Sequence, residues 1–283
     1  MTTLPDLLED LDAEFEALWE VVADFADDDR RWDLPTPAEG WAVRDQIGHL
    51  AFFDDAGRLA MVDPDAFMRS VDQLLSLPDP MDVHLVPGRA MGGDELLTWW
   101  HGAHRAMIDV FSTADPSTRV PWYGPPMGML SFVSARLMET WAHGQDVCDA
   151  LGATRVPTAR LRHVAHLGVR ARPFSYLVRG REVPEGRIEV VLVGPDGDHW
   201  RWEIGSEAGS NASNASNASA GSAGSVDGAP ASVAGSALDF CLVVTQRRNV
   251  ADTDLVVTGA LAEDWIAIAQ AFAGGPGPGR PPA

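Results

Sequence analysis

Between residues 5 and 151 the apolar side chains recur at three- and four-residue intervals in four long stretches, and this constrains the chain more than any other feature. Such a stripe occupies one face of an α-helix, and a helix with one apolar face must bury it against another element. The first stretch, residues 5–27, sets Leu7, Leu8, Leu11, Phe15, Leu18, Trp19, Val22 and Phe25 among acids, until Asp27-Asp28-Asp29 and a Leu-Pro-Thr-Pro run end it. A second helix is predicted from Trp41 to about Val62, with Trp41, Arg44, Asp45, Gly48, His49, Phe52 and Phe53 near one face and Pro64 stopping it. A shorter helix follows at 65–76, and the proline- and glycine-rich residues 77–92 read as loop. The third long helix is Asp94–Ser112, striped by Leu96, Leu97, Trp100, Ala103, Met107 and Phe111. After the turn Pro121-Trp-Tyr-Gly-Pro-Pro, a fourth runs from about Met127 to Leu151. Four long helices joined by loops predict an antiparallel bundle over residues 1–155.

The second half is patterned differently. Residues 158–179 read as a helix, whereas Arg187–Val193 and His199–Ile204 alternate like strands around Gly194-Pro-Asp-Gly-Asp, a hairpin signal. Residues 205–231 are almost wholly Gly, Ser, Ala and Asn, with Asn-Ala-Ser three times in succession, and are expected to be a flexible, disordered insertion. Beyond it we expect a helix at Ser232–Arg247, a strand at Asp254–Thr258 and a helix at Ala260–Ala273. The fold class is therefore α+β: a helical bundle, a small α+β domain at 156–275, and a flexible tail at 276–283.

Charge narrows the function. The formal net charge is −20, and residues 1–150 hold 9 arginines against 28 carboxylates, with no lysine anywhere. So acidic a surface repels phosphate backbones, so no nucleic-acid partner is expected. The N-terminus is acidic and amphipathic, unlike a secretory signal, and no apolar run is long enough for a membrane span, so the expected compartment is the cytoplasm. Cys148 and Cys241 are far apart and read as two buried thiols. His-Glu-x-x-His, Gly-x-Ser-x-Gly, phosphate-loop and dinucleotide fingerprints are missing, which leaves serine hydrolysis, ATP hydrolysis and nicotinamide chemistry without apparatus.

What remains is a possible metal site. Glu139-Thr-Trp-Ala-His143 sets a carboxylate and an imidazole four residues apart, neighbours on one helix face, with Asp146 three further on. His49 sits among apolar residues of the second helix. If those two helices face each other, two imidazoles and a carboxylate converge, a set that suits Zn²⁺ or a similar first-row ion and leaves positions open. Taken alone, the spacing is a weak signal, because a Glu–His pair four residues apart is commonly a solvated pair. His104, near the Trp100–Met107 stripe, is either a fourth ligand or base or an ordinary hydrogen-bonded histidine. Trp41 and Trp141 read first as packing that excludes water, and second as substrate contacts.

The wording of the two motifs adds to this. Gly40-Trp-Ala-Val-Arg-Asp-Gln-Ile-Gly-His49-Leu resembles the second-helix motif of the DinB superfamily, specifically of the mycothiol-dependent maleylpyruvate isomerases, and Met138-Glu139-Thr-Trp-Ala-His143-Gly-Gln-Asp146 resembles their fourth-helix motif. The resemblance implies that His49, Glu139 and His143 are metal ligands. Ser236-Ala-Leu-Asp-Phe-Cys-Leu-Val-Val-Thr-Gln-Arg247-Arg248 and Leu255-Val-Val-Thr-Gly look like the small C-terminal domain of that family, in which an arginine faces the active site, so Arg247 or Arg248 is implied as an anion clamp. The chain is also similar to an actinobacterial group of such two-domain proteins.

The expectation is a divalent-metal enzyme, with zinc as the ion and mycothiol as thiol cosubstrate, isomerising or conjugating a small electrophilic or anionic substrate. It would be an isomerase or an S-transferase, as monomer or homodimer, with Asp146 orienting His143 or a bound water. Two alternatives stand beside it. One is a non-catalytic metal or ligand binder whose sphere is closed by a donor such as His104. The other is a tRNA wyosine-related role, from a faint likeness of the C-terminal stretch.

Overall fold

A computed structural model describes residues 2–77, 83–205, 230–277 and 279–282. It separates into two compact units, Met1–Val156 and Pro157–Ala283. Most of the Gly/Ser/Ala/Asn insertion expected at 205–231 lies outside the described residues.

In the first unit the chain runs through α1 (Leu4–Val22), α2 (Asp29–Trp32), α3 (Val43–Val62), α4 (Pro64–Leu75), α5 (Val86–Ala90), α6 (Gly93–Ser112), the two-residue strands β1 (Arg119–Val120) and β2 (Met127–Gly128), and α7 (Met129–Leu151). The long helices α1, α3, α6 and α7 form the four-helix bundle. Thr3 starts α1 by accepting from the Asp6 amide at 3.3 Å while Asp6 accepts from the Thr3 amide at 3.0 Å, a capping box that satisfies two orphan donors. The helix then buries Leu4, Leu7, Leu8, Leu11, Phe15, Leu18 and Val22 along one stripe. Of these, Phe15, Leu18 and Val22 meet Ile47, Leu50, Leu96, Trp100 and Val147 in one core, where each large apolar side chain contributes about 1.5–3 kcal/mol over its exposed state.

Two close approaches fix how the helices sit. At Gly93 a side chain would fall on the Trp32 indole nitrogen and the Ala26 carbonyl, which are hydrogen-bonded at 3.2 Å across the start of α6. Gly48 and Gly88 oppose each other, so that a Cβ on Gly48 would lie 3.3 Å from Gly88 Cα, and α5 seats directly on α3. The sequence pattern predicts loop over residues 77–92, but Val83–Leu85 forms a 3-10 turn and α5 follows it, with Pro87 supplying the fixed φ of a helical first turn. Trp41 precedes α3 rather than opening it: the Asp45 carboxylate accepts from the Ala42 amide at 2.9 Å, so the helix begins at Val43.

The second unit holds α8 (Leu161–Arg170) and α9 (Arg172–Leu177), one expected helix divided where Pro173 removes a backbone donor. Then come β3 (Ile188–Val193), β4 (His199–Ile204), β5 (Ala231–Ser236), α10 (Ala237–Val244), β6 (Val256–Thr258) and α11 (Ala260–Ile266). The sheet order is β4-β3-β5-β6, with β3–β4 antiparallel in register Ile188↔Ile204 to Val193↔His199 and β3–β5 parallel. The helix expected at Ser232–Arg247 therefore starts five residues late: Ala231–Ser236 is a strand, and Ser236 caps α10 by accepting from the Asp239 amide at 3.0 Å. Val190, Leu192, Val233, Phe240 and Trp265 are buried around this sheet. Among the described residues, no helix is long and apolar enough to cross a membrane.

Candidate metal centre

His49 projects from the middle of α3, and Glu139 and His143 from one face of α7, the helix that packs beside it. One ligand atom from each lies within 4.8 Å of the other two. Glu139 Oε2 stands 3.1 Å from His143 Nε2 and 3.6 Å from His49 Nε2, and the two imidazole centroids are 4.3 Å apart. Donors around a tetrahedral ion at roughly 2.1 Å are separated by about 3.4 Å, so these spacings match what such an ion needs. His49 Nδ1 is buried with no hydrogen-bond partner among the described residues, and its Nε2 faces Glu139. Two nitrogens and one carboxylate are the donor chemistry of a borderline first-row ion.

The electrostatics favour the ligating forms. Burial, and then the charge of His143, push His49 down to about 3 against an upward pull from Glu139, so its imidazole is neutral at physiological pH. Burial pushes the Glu139 carboxyl up, but hydrogen bonds from His143 and His49 outweigh it and hold the group well below the carboxylate range. An anionic oxygen and a neutral nitrogen thus face the same point.

Behind the donors lies a chain of hydrogen bonds. Gln46, one turn before His49 and fully buried, has its Oε1 2.5 Å from His143 Nδ1. Gln46 Nε2 donates to Thr36 Oγ1 at 2.8 Å, and that hydroxyl donates to the Trp41 carbonyl at 2.9 Å. Thr36 and Trp41 line an open groove with Arg44, Asp45 and Arg89, so the outer end of this chain reaches the surface. The Trp41 indole stacks on His143, with centroids 5.7 Å apart and planes at 10°, and lies 5.3 Å from His49. Phe53 contacts His49 at 4.6 Å and Tyr123 at 5.5 Å. Burial pushes the Tyr123 hydroxyl up to about 12.

His104, Trp141, Asp146, Arg247 and Arg248 each have partners of their own. His104 is buried with Nε2 3.0 Å from Asp12, Nδ1 3.7 Å from Asp54, and its ring stacked on Phe15 at 4.0 Å. It belongs to a polar cluster inside the bundle and not to the group of three donors. Trp141 lies two residues from both Glu139 and His143, which on a helix turns it to the opposite face; its ring carries the Arg155 guanidinium at 5.4 Å. Asp146 is fully buried on α7, and the Gln46 amide oxygen stands against Nδ1 of His143. Arg247 and Arg248 follow α10 in the second unit, where they donate to the carbonyls of Thr245 and Arg247 at 2.7 Å each. The sequence reading missed Gln46 and His84. His84 sits in the 3-10 turn before α5 with its ring 4.9 Å from His49 and 5.7 Å from Trp41. Gln46 shares a helix face with His49 at three-residue spacing, which was a usable signal; His84, in an aperiodic stretch, offered none.

Fold and site together define a DinB-type helical bundle with two histidines and a glutamate gathered between α3 and α7, followed by a small α+β unit. The family model for the mycothiol maleylpyruvate isomerase N-terminal domain matches residues 11–148. The chain belongs to that family. Two uncharacterised proteins of Mycobacterium tuberculosis, from strains CDC 1551 / Oshkosh and H37Rv, are each 39% identical to it over 272 residues, covering 96% of this chain and 96% of theirs. The crystal structure of a mycothiol-dependent maleylpyruvate isomerase covers 92% of this chain and 94% of its own at a TM-score of 0.55 and 16% identity, and a mutant of that enzyme aligns equally at 15%. At such identities the likeness concerns the fold.

Proposed function

We propose that this protein is a divalent-metal enzyme in which His49, Glu139 and His143 hold the ion, zinc by their chemistry, and a low-molecular-weight thiol of the mycothiol kind is the cosubstrate. One observation carries the metal. With Nδ1 of His143 against the Gln46 carbonyl oxygen, that nitrogen carries its proton, and Nε2 turns a lone pair toward Glu139 Oε2 at 3.1 Å. In the metal-free centre a proton lies between them, as in the hydrogen bonds that hold Glu139 down, and a divalent ion would take its place, with His49, whose Nε2 faces the same oxygen, as the third donor. A bound divalent ion would lower the pKa of a coordinated thiol and present it as thiolate at neutral pH.

The rest is done by the chain. Three protein donors leave coordination positions for cosubstrate and substrate. Trp41 and Phe53 wall the donors with apolar surface, which keeps water from competing and strengthens each charge interaction inside. The substrate would be a small electrophile, isomerised or conjugated at sulfur, and Arg247 or Arg248 would pair with its carboxylate in bidentate fashion. Asp146, three residues beyond His143 on α7, would orient His143 or a bound water. A non-catalytic binder needs a fourth protein donor, and His104, the residue expected in that role, is engaged with Asp12. The reading is tested by loading purified protein with zinc and screening mycothiol against unsaturated acids and other electrophiles. Thiol binding or turnover that is lost in His143→Ala supports it; neither thiol binding nor turnover in zinc-loaded protein refutes the enzymatic reading.

A further inference from the structure

We infer that Gln46 is the positioning residue of this centre: a neutral amide, locked by Thr36 and the Trp41 backbone, that sets the tautomer and aim of His143. The inference rests on the metal-centre reading and adds the group that prepares it. A backbone carbonyl only accepts, so at 2.9 Å from the Trp41 oxygen the Thr36 hydroxyl donates its one hydrogen there. The hydroxyl can then only accept from Gln46 Nε2 at 2.8 Å, which points the amide oxygen at His143 Nδ1. That oxygen cannot donate, so Nδ1 carries the proton and Nε2 keeps the lone pair a metal needs.

The opposite sense is also a closed network. If the amide turned over, the Thr36 hydroxyl would donate to Gln46, Nδ1 would accept, and Nε2–H would donate to Glu139, sealing the centre against an ion. The Trp41 carbonyl would keep the Thr36 amide at 2.8 Å but lose its second donor, the hydroxyl at 2.9 Å. Thr36 and Trp41 thus act as the latch that selects the metal-ready sense. An amide differs here from the carboxylate that often backs a ligating histidine: it adds no charge, so the centre keeps a single anionic ligand and its full Lewis acidity.

The test compares full-length wild type with Gln46→Met, Gln46→Glu and Thr36→Val. Zinc affinity is read by chelator competition, and His143 by long-range ¹H–¹⁵N spectra of zinc-free and zinc-loaded protein. In wild type Nδ1 should bear a slowly exchanging proton in both states. Gln46→Met should lose that protection and weaken zinc binding by about 10–100-fold, the usual cost of removing such a partner. Gln46→Glu, which retains an acceptor, should recover most of the affinity, which a merely structural role for the side chain would not allow. Thr36→Val preserves shape, and should weaken zinc binding even if Gln46→Met does not fold. An unprotonated Nδ1 in wild type, or wild-type zinc affinity in both Gln46→Met and Thr36→Val, overturns the inference. If wild type binds no zinc the metal reading fails, yet the Nδ1 proton in zinc-free protein still decides between the two senses of the latch.

Discussion

Asp54 and Arg136 form an ion pair inside the bundle, and breaking it should be expensive. Asp54 Oδ1 accepts from Arg136 Nε at 3.1 Å and Nη2 at 2.8 Å, and Nη2 also donates to the Leu50 carbonyl at 3.3 Å. The two residues are only 2% and 3% exposed. Asp54→Ala leaves a guanidinium buried without its carboxylate, which costs about 3–5 kcal/mol. At about 2–4 °C per kcal/mol for a unit of this size, the Tm should fall by about 6–20 °C. The sign with pH follows from the same pair: burial pushes the Asp54 carboxyl up, but Arg136 and His104 outweigh it and hold it below its usual range. The stabilisation is thus present above the unfolded carboxyl range and lost as pH falls through the lower folded value. Urea and thermal unfolding at neutral pH measure the loss, and the double variant Asp54→Leu/Arg136→Met, which replaces the pair by apolar groups, should regain most of it. A loss below about 1 kcal/mol in the single variant, or a double variant no more stable than the single, would refute the reasoning. Arg136 lies one turn before Glu139, so the single variant should also bind zinc more weakly.

Gly93→Ala should destabilise by about 1–3 kcal/mol through overpacking against the Trp32–Ala26 hydrogen bond, although alanine is the better helix former; an unchanged urea midpoint would contradict this. For His49 the folded value of about 3 lies below the ordinary 6.5, so the unfolded chain takes up a proton that the fold refuses. Stability of the metal-free protein should therefore fall as pH drops from 6.5 toward 3, by up to about 1.4 kcal/mol per pH unit, with Glu139 adding to the loss below 4.5. In His49→Asn the slope between pH 6.5 and 4.5 should shrink to the share left by His166, which burial also lowers, and an unchanged slope would remove the assignment.

The bundle was legible because its signal is local. Leu7, Leu11, Phe15, Leu18 and Val22 declare a buried stripe without reference to any other part of the chain. The four-residue spacing of Glu139 and His143 similarly guarantees that they are neighbours, and the depth of His49 follows from the apolar residues around it. What failed to show was non-local. Ala231–Ser236 is made of small residues with weak strand preference, and becomes a strand because β3 offers a parallel partner, Val190 to Val233. His84 comes within 4.9 Å of His49 only because the opposed glycines 48 and 88 let α5 close on α3. His104 shares an apolar stripe with Trp100 and Met107, yet Asp12 of α1 and Asp54 of α3 claim its ring, and neither partner is visible from the spacing on α6. Trp141 is buried, in keeping with its first reading as packing, and the angle around the helix turns it away from Glu139 and His143.

The most direct test of the account is metal content by mass spectrometry on purified wild-type, His49→Ala and His143→Ala proteins, before and after reconstitution with zinc. The account predicts about one equivalent of a divalent first-row ion in wild type and loss of that ion in both variants, with near-native circular dichroism throughout. A wild-type protein that stays metal-free after reconstitution, or variants that bind the ion as wild type does, would contradict it.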